Sequence, residues 1–145
     1  MLHSLSHLLM HALSLECGYA ASALREHIYC GTEASGYAMA GILLCTTSPG
    51  SEGTLGGLVA QGRRIDKHLE RALRLGSLCS NDPICASHSP KDDPSERWLE
   101  GAACHGCLFV AECSCERFNR HLDRALVVPT IGNPAALAFF DEPGT

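Results

Sequence analysis

Apolar residues in the first sixteen positions of the chain recur with the spacing of an α-helix. Projected at 100° per residue, they fall within an arc of roughly 160°, and they are Leu2, Leu5, Leu8, Leu9, Ala12, Leu13 and Leu15. Three histidines recur every four residues on the opposite side: His3, His7 and His11. We predict an amphipathic helix over residues 1–16. Because no H-E-x-x-H motif is present, we interpret its histidine stripe as facing solvent or a partner.

Three more elements are predicted before residue 80. Residues 20–29 are expected to form a second short helix. The run YAMAGILLCTT at 37–47 predicts a buried strand that ends at Ser48-Pro49-Gly50. A further amphipathic helix is predicted from Arg63 to Leu75, terminated by Gly76, and its inward-facing residues are Ile65, Leu69, Ala72 and Leu73.

The second half of the chain has a weaker periodicity. We expect a loop over 79–101, a cysteine-rich knuckle over 104–115, a third helix over 116–126 and a last short strand over 126–128. A tail with three prolines follows at 129–145. The fold class predicted is α+β (mixed α/β), in which amphipathic helices pack a small sheet with a buried central strand, with a cysteine knuckle added.

Composition restricts the classes of protein that this chain can be. Hydrophobic residues make up 46% and charged residues 19%, which indicates a globular domain. No apolar run approaches the ~18 residues of a spanning helix, so no membrane role is expected. The N-terminus has no Lys or Arg before its apolar run, and Glu16 precedes Cys17 where a lipoprotein site needs a small residue. We therefore predict a cytoplasmic protein.

The chain has nine cysteines, and an odd number cannot all pair. The pair Cys79-x5-Cys85 is followed after 18 residues by Cys104-x2-Cys107, a gap typical of four-cysteine zinc sites. In the cytoplasm these thiolates favour a structural Zn²⁺ ion with a closed coordination shell. An iron–sulfur cluster, disulfides or free thiols are the alternatives. Three other cysteines are expected to be small buried core residues: Cys17, Cys30 and Cys45.

Positive charge is concentrated in two predicted helices, although the formal net charge is -5. This concentration could form a local phosphate-binding face, and the candidate residues are Arg63, Arg64, Lys67, Arg71, Arg117, Arg120 and Arg124. The alternative is a solvated face with internal ion pairs. The glycine-rich turn at 50–57 offers a second possible phosphate contact through Gly53, Gly56 and Gly57. It matches neither the P-loop nor the dinucleotide-binding pattern.

The chain resembles the C-terminal domain of DrmB-like proteins, which are components of the DISARM anti-phage defence system. The resemblance lies in four ordered segments: LHSLSHLL (2–9), AGILLCTTSPGSEGTLGGL (40–58), Cys79-x5-Cys85 and GAACHGCLFVAECSCERFNRHLDRALVV (101–128). The same segments are similar to the MrfA-type zinc-binding (MZB) domain that follows the motor core of some superfamily 2 DNA helicases. The resemblance implies that the zinc ligands are Cys79, Cys85, Cys104 and Cys107. Cys115 lies at another cysteine position of the pattern and is the alternative ligand.

The resemblance implies a helicase-associated zinc-binding domain over residues 1–128, as a C-terminal piece of a longer protein. We therefore expect a non-catalytic module that supports engagement of DNA or of a helicase-type partner. Two alternatives are a hydrolytic or nuclease-like enzyme that uses the 50–57 turn, and a structural module that docks through the 1–16 helix.

Overall fold

The computed structural model describes residues 1–47, 57–88, 101–133 and 137–141. It contains four helices and two strands in these ranges, and the predicted α+β fold is confirmed. In chain order the elements are α1 (Leu2–Cys17), β1 (Leu24–Gly31), β2 (Met39–Thr46), α2 (Gly57–Gln61), α3 (Ile65–Ser77) and α4 (Pro83–Ser87). None of the helices described could cross a membrane.

The first helix is buried on almost every side. Besides its leucines, two histidines and two serines lie in the interior: His3, Ser4, Ser6 and His7. The prediction that the histidine stripe faces solvent or a partner is therefore wrong for His3 and His7. The β1–β2 sheet, α3 and the segment 101–133 cover α1, so the molecule's own core occupies the surface that docking through residues 1–16 would need.

Residues 24–31 form a strand where we predicted a helix. β1 pairs with β2 in antiparallel register, with Leu24 opposite Thr46 and Ile28 opposite Ile42. Side chains alternate at its start, since Leu24 and Glu26 are buried while their neighbours are exposed. Pairing with β2, the next strand along the chain, thus overrides the local helical pattern. The predicted strand over 37–47 is confirmed, but this two-stranded sheet leaves β2 only partly buried.

The helix α3 confirms the predicted amphipathic element. Ala72 and Leu73 are buried as expected, whereas Ile65 is exposed at the first turn. Gly76 does not terminate the helix, which continues to Ser77. A Cβ atom there would lie 2.8 Å from Leu8 Cδ1 and 3.0 Å from a Val128 methyl group. A side chain at this position would therefore push Leu8 or Val128 out of its present packing.

Residues 101–133 carry almost no regular structure. Within this range, which the structure describes throughout, the helical segments are two 3-10 turns of three residues. The predicted third helix over 116–126 is wrong, because a left-handed backbone conformation interrupts it at Phe118, Asn119 and His121. The predicted strand over 126–128 is also wrong, since Leu126 ends a 3-10 turn and two buried valines follow it.

Within the described residues, two hydrophobic clusters form the core. The larger joins leucines of α1 and α3 to Cys85, Cys107, Leu108 and Val128. The smaller joins the end of α1 to the start of β1 and to Cys115. Cys17 is buried as predicted, but Cys30 and Cys45 are exposed on the sheet. Three cysteines of the second half of the chain thus belong to the two clusters, and they are Cys85, Cys107 and Cys115.

Substitution of Gly76 tests the packing of α3 against α1. We expect Gly76→Val to destabilise the protein by about 2 kcal/mol, because a larger side chain overpacks the contact with Leu8 and Val128. Urea denaturation followed by circular dichroism measures the loss. The matched control is Gly62→Val, since no atom lies within 4 Å of a Cβ at Gly62. Equal stability losses in the two variants would contradict this packing.

Candidate metal centre

The first two cysteines of the predicted site lie on either side of the start of α4. Cys79 follows α3, and Cys85 lies in the first turn of α4. Asp82 caps this helix, because its Oδ1 accepts hydrogen bonds from the amides of Ile84 at 2.9 Å and Cys85 at 3.3 Å. Pro83 occupies the first helical position, where no amide donor is needed. The short helix thereby fixes Cys85 relative to Cys79.

The second pair lies on a tight turn. The Cys104 carbonyl accepts amide hydrogen bonds from Cys107 at 3.2 Å and from the next two residues at 3.0 Å. The turn meets the first pair through Gly106, where a Cβ atom would lie only 1.7 Å from Asn81 Nδ2. Glycine at this position therefore allows the two cysteine pairs to approach each other.

The four sulfur atoms converge on one point. Sγ–Sγ distances are 3.6 Å for Cys79–Cys104, 3.5 Å for Cys85–Cys107 and 3.6 Å for Cys104–Cys107. All four sulfurs lie within 4.8 Å of one another. Tetrahedral zinc with Zn–S bonds of about 2.3 Å requires sulfurs separated by about 3.8 Å. The donor set and its spacing therefore fit Zn²⁺.

Burial determines how these thiols give up their protons. Burial raises the pKa of Cys85 to about 11 and also raises that of Cys107, because a thiolate loses its hydration. At Cys79 burial acts in the same direction, but backbone hydrogen bonds at Asn81 and Asp82 outweigh it and lower the pKa to about 7. A metal ion must displace protons from the buried pair, so its affinity falls as the pH falls.

Arg124 lies beside this centre and not on the surface. Its side chain is 1% exposed, and it donates hydrogen bonds to the carbonyls of Gly76 at 2.9 Å and Cys85 at 3.0 Å. The prediction that Arg124 faces nucleic acid is therefore wrong. A buried guanidinium next to four sulfur ligands can instead offset part of their negative charge.

Cys115, our alternative ligand, lies in a different cluster. Its sulfur is close to two residues of α1 and one of β1, and the four members of this group are His3, His7, Glu26 and Cys115. Sequence reasoning missed Glu26 entirely, because it lies on a strand that we predicted as a helix. Burial would raise the pKa of Glu26, but hydrogen bonds from His3 and His7 outweigh it and lower the pKa to about 2.

The other predicted binding residues are distributed over the surface. Arg64 and Arg71 form ion pairs with Glu16 at 3.2 and 3.4 Å. Four exposed basic side chains have no ion pair within the described ranges: Arg63, Lys67, Arg117 and Arg120. Of the predicted phosphate turn, Gly57 begins α2 with a φ of 58°, whereas Gly53 and Gly56 lie outside the described residues.

Comparison with known proteins gives the family. The MZB family model, described as the MrfA Zn-binding domain, matches residues 5–108. The chain is also similar to the DISARM protein DrmB of Bacillus paralicheniformis, with 50% identity over 134 residues. That alignment covers 90% of this chain and 22% of the relative, so the chain spans about a fifth of the relative's length.

The family match and the four-thiol cluster support the same metal. The matched range includes all four clustered cysteines, and their geometry suits zinc. A structural zinc ion is therefore the cofactor, as the sequence predicted. The chain belongs to the MZB family of MrfA Zn-binding domains.

Proposed function

We propose that this chain is a non-catalytic zinc-binding module that supports DNA or helicase engagement in an anti-phage defence complex. Its zinc ligands in this proposal are Cys79, Cys85, Cys104 and Cys107. The observation that carries the proposal is the convergence of these four thiols in a member of the MZB family. The name of the relative, DISARM protein DrmB, gives the defence context.

A structural role for the zinc follows from the closed donor set. Four thiolates fill a tetrahedral shell and leave no position for a substrate or an activated water. Cys85 and Cys107 are also packed in the main hydrophobic cluster, so the ion connects α4 and the 104–107 turn to the core. We place the module in the cytoplasm, where reducing conditions keep thiols available as ligands.

The role of Arg124 is part of this proposal. Four thiolates around one divalent ion leave a net charge of -2 in the interior, which is costly without compensation. The guanidinium of Arg124 supplies one positive charge and binds the Cys85 carbonyl directly. It also binds Gly76 at the end of α3, so one side chain connects the metal centre to the helix.

Contact with DNA would use the exposed basic residues outside this core. Arg63 and Lys67 lie at the start of α3, next to Arg64 and Arg71, which Glu16 partly neutralises. Arg117 and Arg120 lie on the irregular segment beyond the metal centre. Exposed side chains without ion pairs can bind phosphates at a lower desolvation cost than paired ones. A helicase-type protein is the partner expected for the module.

Removal of one sulfur ligand tests the zinc assignment. We expect Cys104→Ser to lower the zinc content by one ion per chain, because a hydroxyl group is a poor zinc ligand. The variant should also lose several kcal/mol of stability, since zinc binding contributes to folding. Mass spectrometry of the metal after dialysis against a chelator measures the content. The control Cys30→Ser, at an exposed thiol, should retain it; unchanged zinc in Cys104→Ser would exclude this ligand set.

Replacement of Arg124 tests the buried guanidinium. A lysine cannot donate to both carbonyls in the same planar geometry, so Arg124→Lys should cost about 1–3 kcal/mol. Urea denaturation of the zinc-loaded protein measures this loss. The control is Arg120→Lys, because Arg120 is exposed and its replacement should change stability by less than about 0.5 kcal/mol. Equal stability of both variants would contradict the role of Arg124.

Salt dependence tests direct DNA contact. The double variant Arg63→Ala/Lys67→Ala should bind duplex DNA more weakly, and the slope of log affinity against log salt should flatten by roughly 1 to 2 if each residue contacts a phosphate. Fluorescence anisotropy with a labelled duplex at several salt concentrations measures the slope. Arg25→Ala removes an exposed charge from the sheet and is the control. An unchanged slope in the double variant would assign these residues to a protein partner or to solvent.

A further inference from the structure

A second group of potential ligands lies in the interior, apart from the four-thiol centre. The Nε2 atom of His3 is 3.1 Å from both Cys115 Sγ and Glu26 Oε1. The Nε2 atom of His7 is 3.2 Å from the same carboxylate oxygen. The four ligand atoms, one from each side chain, lie within 4.8 Å of one another. Because the same nitrogen of His3 lies close to both Cys115 and Glu26, the four side chains converge on one point and do not form a linear chain of hydrogen bonds.

Hydrogen bonds to neighbouring groups orient the atoms of these side chains that could bind a metal ion. His7 Nδ1 lies 2.9 Å from the Leu108 carbonyl, which can only accept, so Nδ1 carries a proton and Nε2 is the ring atom available to a metal ion. The second oxygen of Glu26 accepts a hydrogen bond from the Ser6 hydroxyl. His3 Nδ1 has no hydrogen-bond partner among the described residues, so His7 is the better oriented of the two imidazoles.

The sulfur of Cys115 is held by its own turn. It accepts backbone N–H hydrogen bonds from Asn119 at 3.2 Å and from Arg117 at 3.4 Å. This turn requires a left-handed backbone at Phe118 and Asn119, with φ values of 53° and 58°. Such a conformation is unfavourable for a bulky residue. The left-handed turn thus brings two backbone amide donors to the sulfur of Cys115.

Burial and charge suit this group to a divalent cation. All four residues are buried, with exposed fractions of 9% or less. As metal ligands, a carboxylate and a thiolate together carry two negative charges, and two neutral imidazoles add none. A bound divalent ion would therefore bring the sum to zero, which matters because buried charges need compensation.

We propose that the chain binds a second structural zinc ion through four buried side chains: His3, His7, Glu26 and Cys115. Two imidazoles, one carboxylate and one thiolate suit Zn²⁺, because Mg²⁺ and Ca²⁺ prefer oxygen ligands and iron–sulfur clusters prefer thiolates. His3 and Cys115 fall outside the range that the family model matches. The ion would join α1 and β1 to the irregular segment beyond residue 101.

The zinc content of the purified protein tests this proposal. After exhaustive dialysis under reducing conditions, the wild-type protein should retain two zinc ions per chain. Cys115→Ser and His3→Gln should each retain one. The matched controls carry the same changes at nearby positions that are not ligands, and Cys113→Ser and His11→Gln should retain two. If Cys115→Ser keeps both ions, the proposal is wrong.

X-ray absorption on the wild-type protein is a second measurement that does not depend on the folding of any variant. A four-sulfur site and a mixed site together give a mean of about 2.5 sulfurs per zinc. One zinc per chain with four sulfurs would show that the second group is a metal-free hydrogen-bonded network, and it would overturn the proposal while leaving the four-thiol site intact. If only the second group binds zinc, the measurement would give one zinc per chain with a single sulfur ligand. That result would overturn the four-thiol site and leave this proposal standing.

Discussion

The hydrogen bond from His7 Nδ1 to the Leu108 carbonyl joins helix α1 to the irregular segment 101–133. Leu108 directly follows Cys107, a member of the four-thiol group, while Nε2 of His7 points into the second group. Leu108 therefore links a ligand of the first cluster to a member of the second. The helical segments of residues 101–133 are two 3-10 turns of three residues each, and the other backbone hydrogen bonds of this range form isolated turns and one β-bridge. Side chains of the two clusters add contacts that tie this range to the rest of the molecule.

The polar residues of α1 explain why this helix is buried on both sides. Ser4 accepts a hydrogen bond from the Asp123 amide at 2.9 Å, and Ser6 donates to Glu26. The apolar side packs on α3, while the polar side receives β1 and the irregular segment. Ser4, Ser6 and His7 on this side thereby gain hydrogen-bond partners, which offset the cost of removing them from water. The helix acts as the central support of the domain, and its polar side is an internal interface.

The sequence predicted the features that depend on local spacing. The four-cysteine group and α3 follow from short patterns, and both are present in the structure. The strand β1 and the role of Glu26 depend on pairing with β2, which no local pattern reveals. One signal for the burial of α1 was available, because residues 1–15 contain no Asp, Glu, Lys or Arg. A helix exposed on one side normally carries such residues there, so their absence indicates burial on both sides.

Electrostatics constrains how such a domain can engage a nucleic acid. The formal charge is -5, and one zinc bound by four thiolates makes it -7. A second zinc with one further thiolate changes this to -6, because the Glu26 charge is already counted. With either number of ions the whole domain repels phosphate at long range. In the DNA contact proposed above, attraction would therefore have to arise within about a Debye length of exposed basic residues such as Lys67.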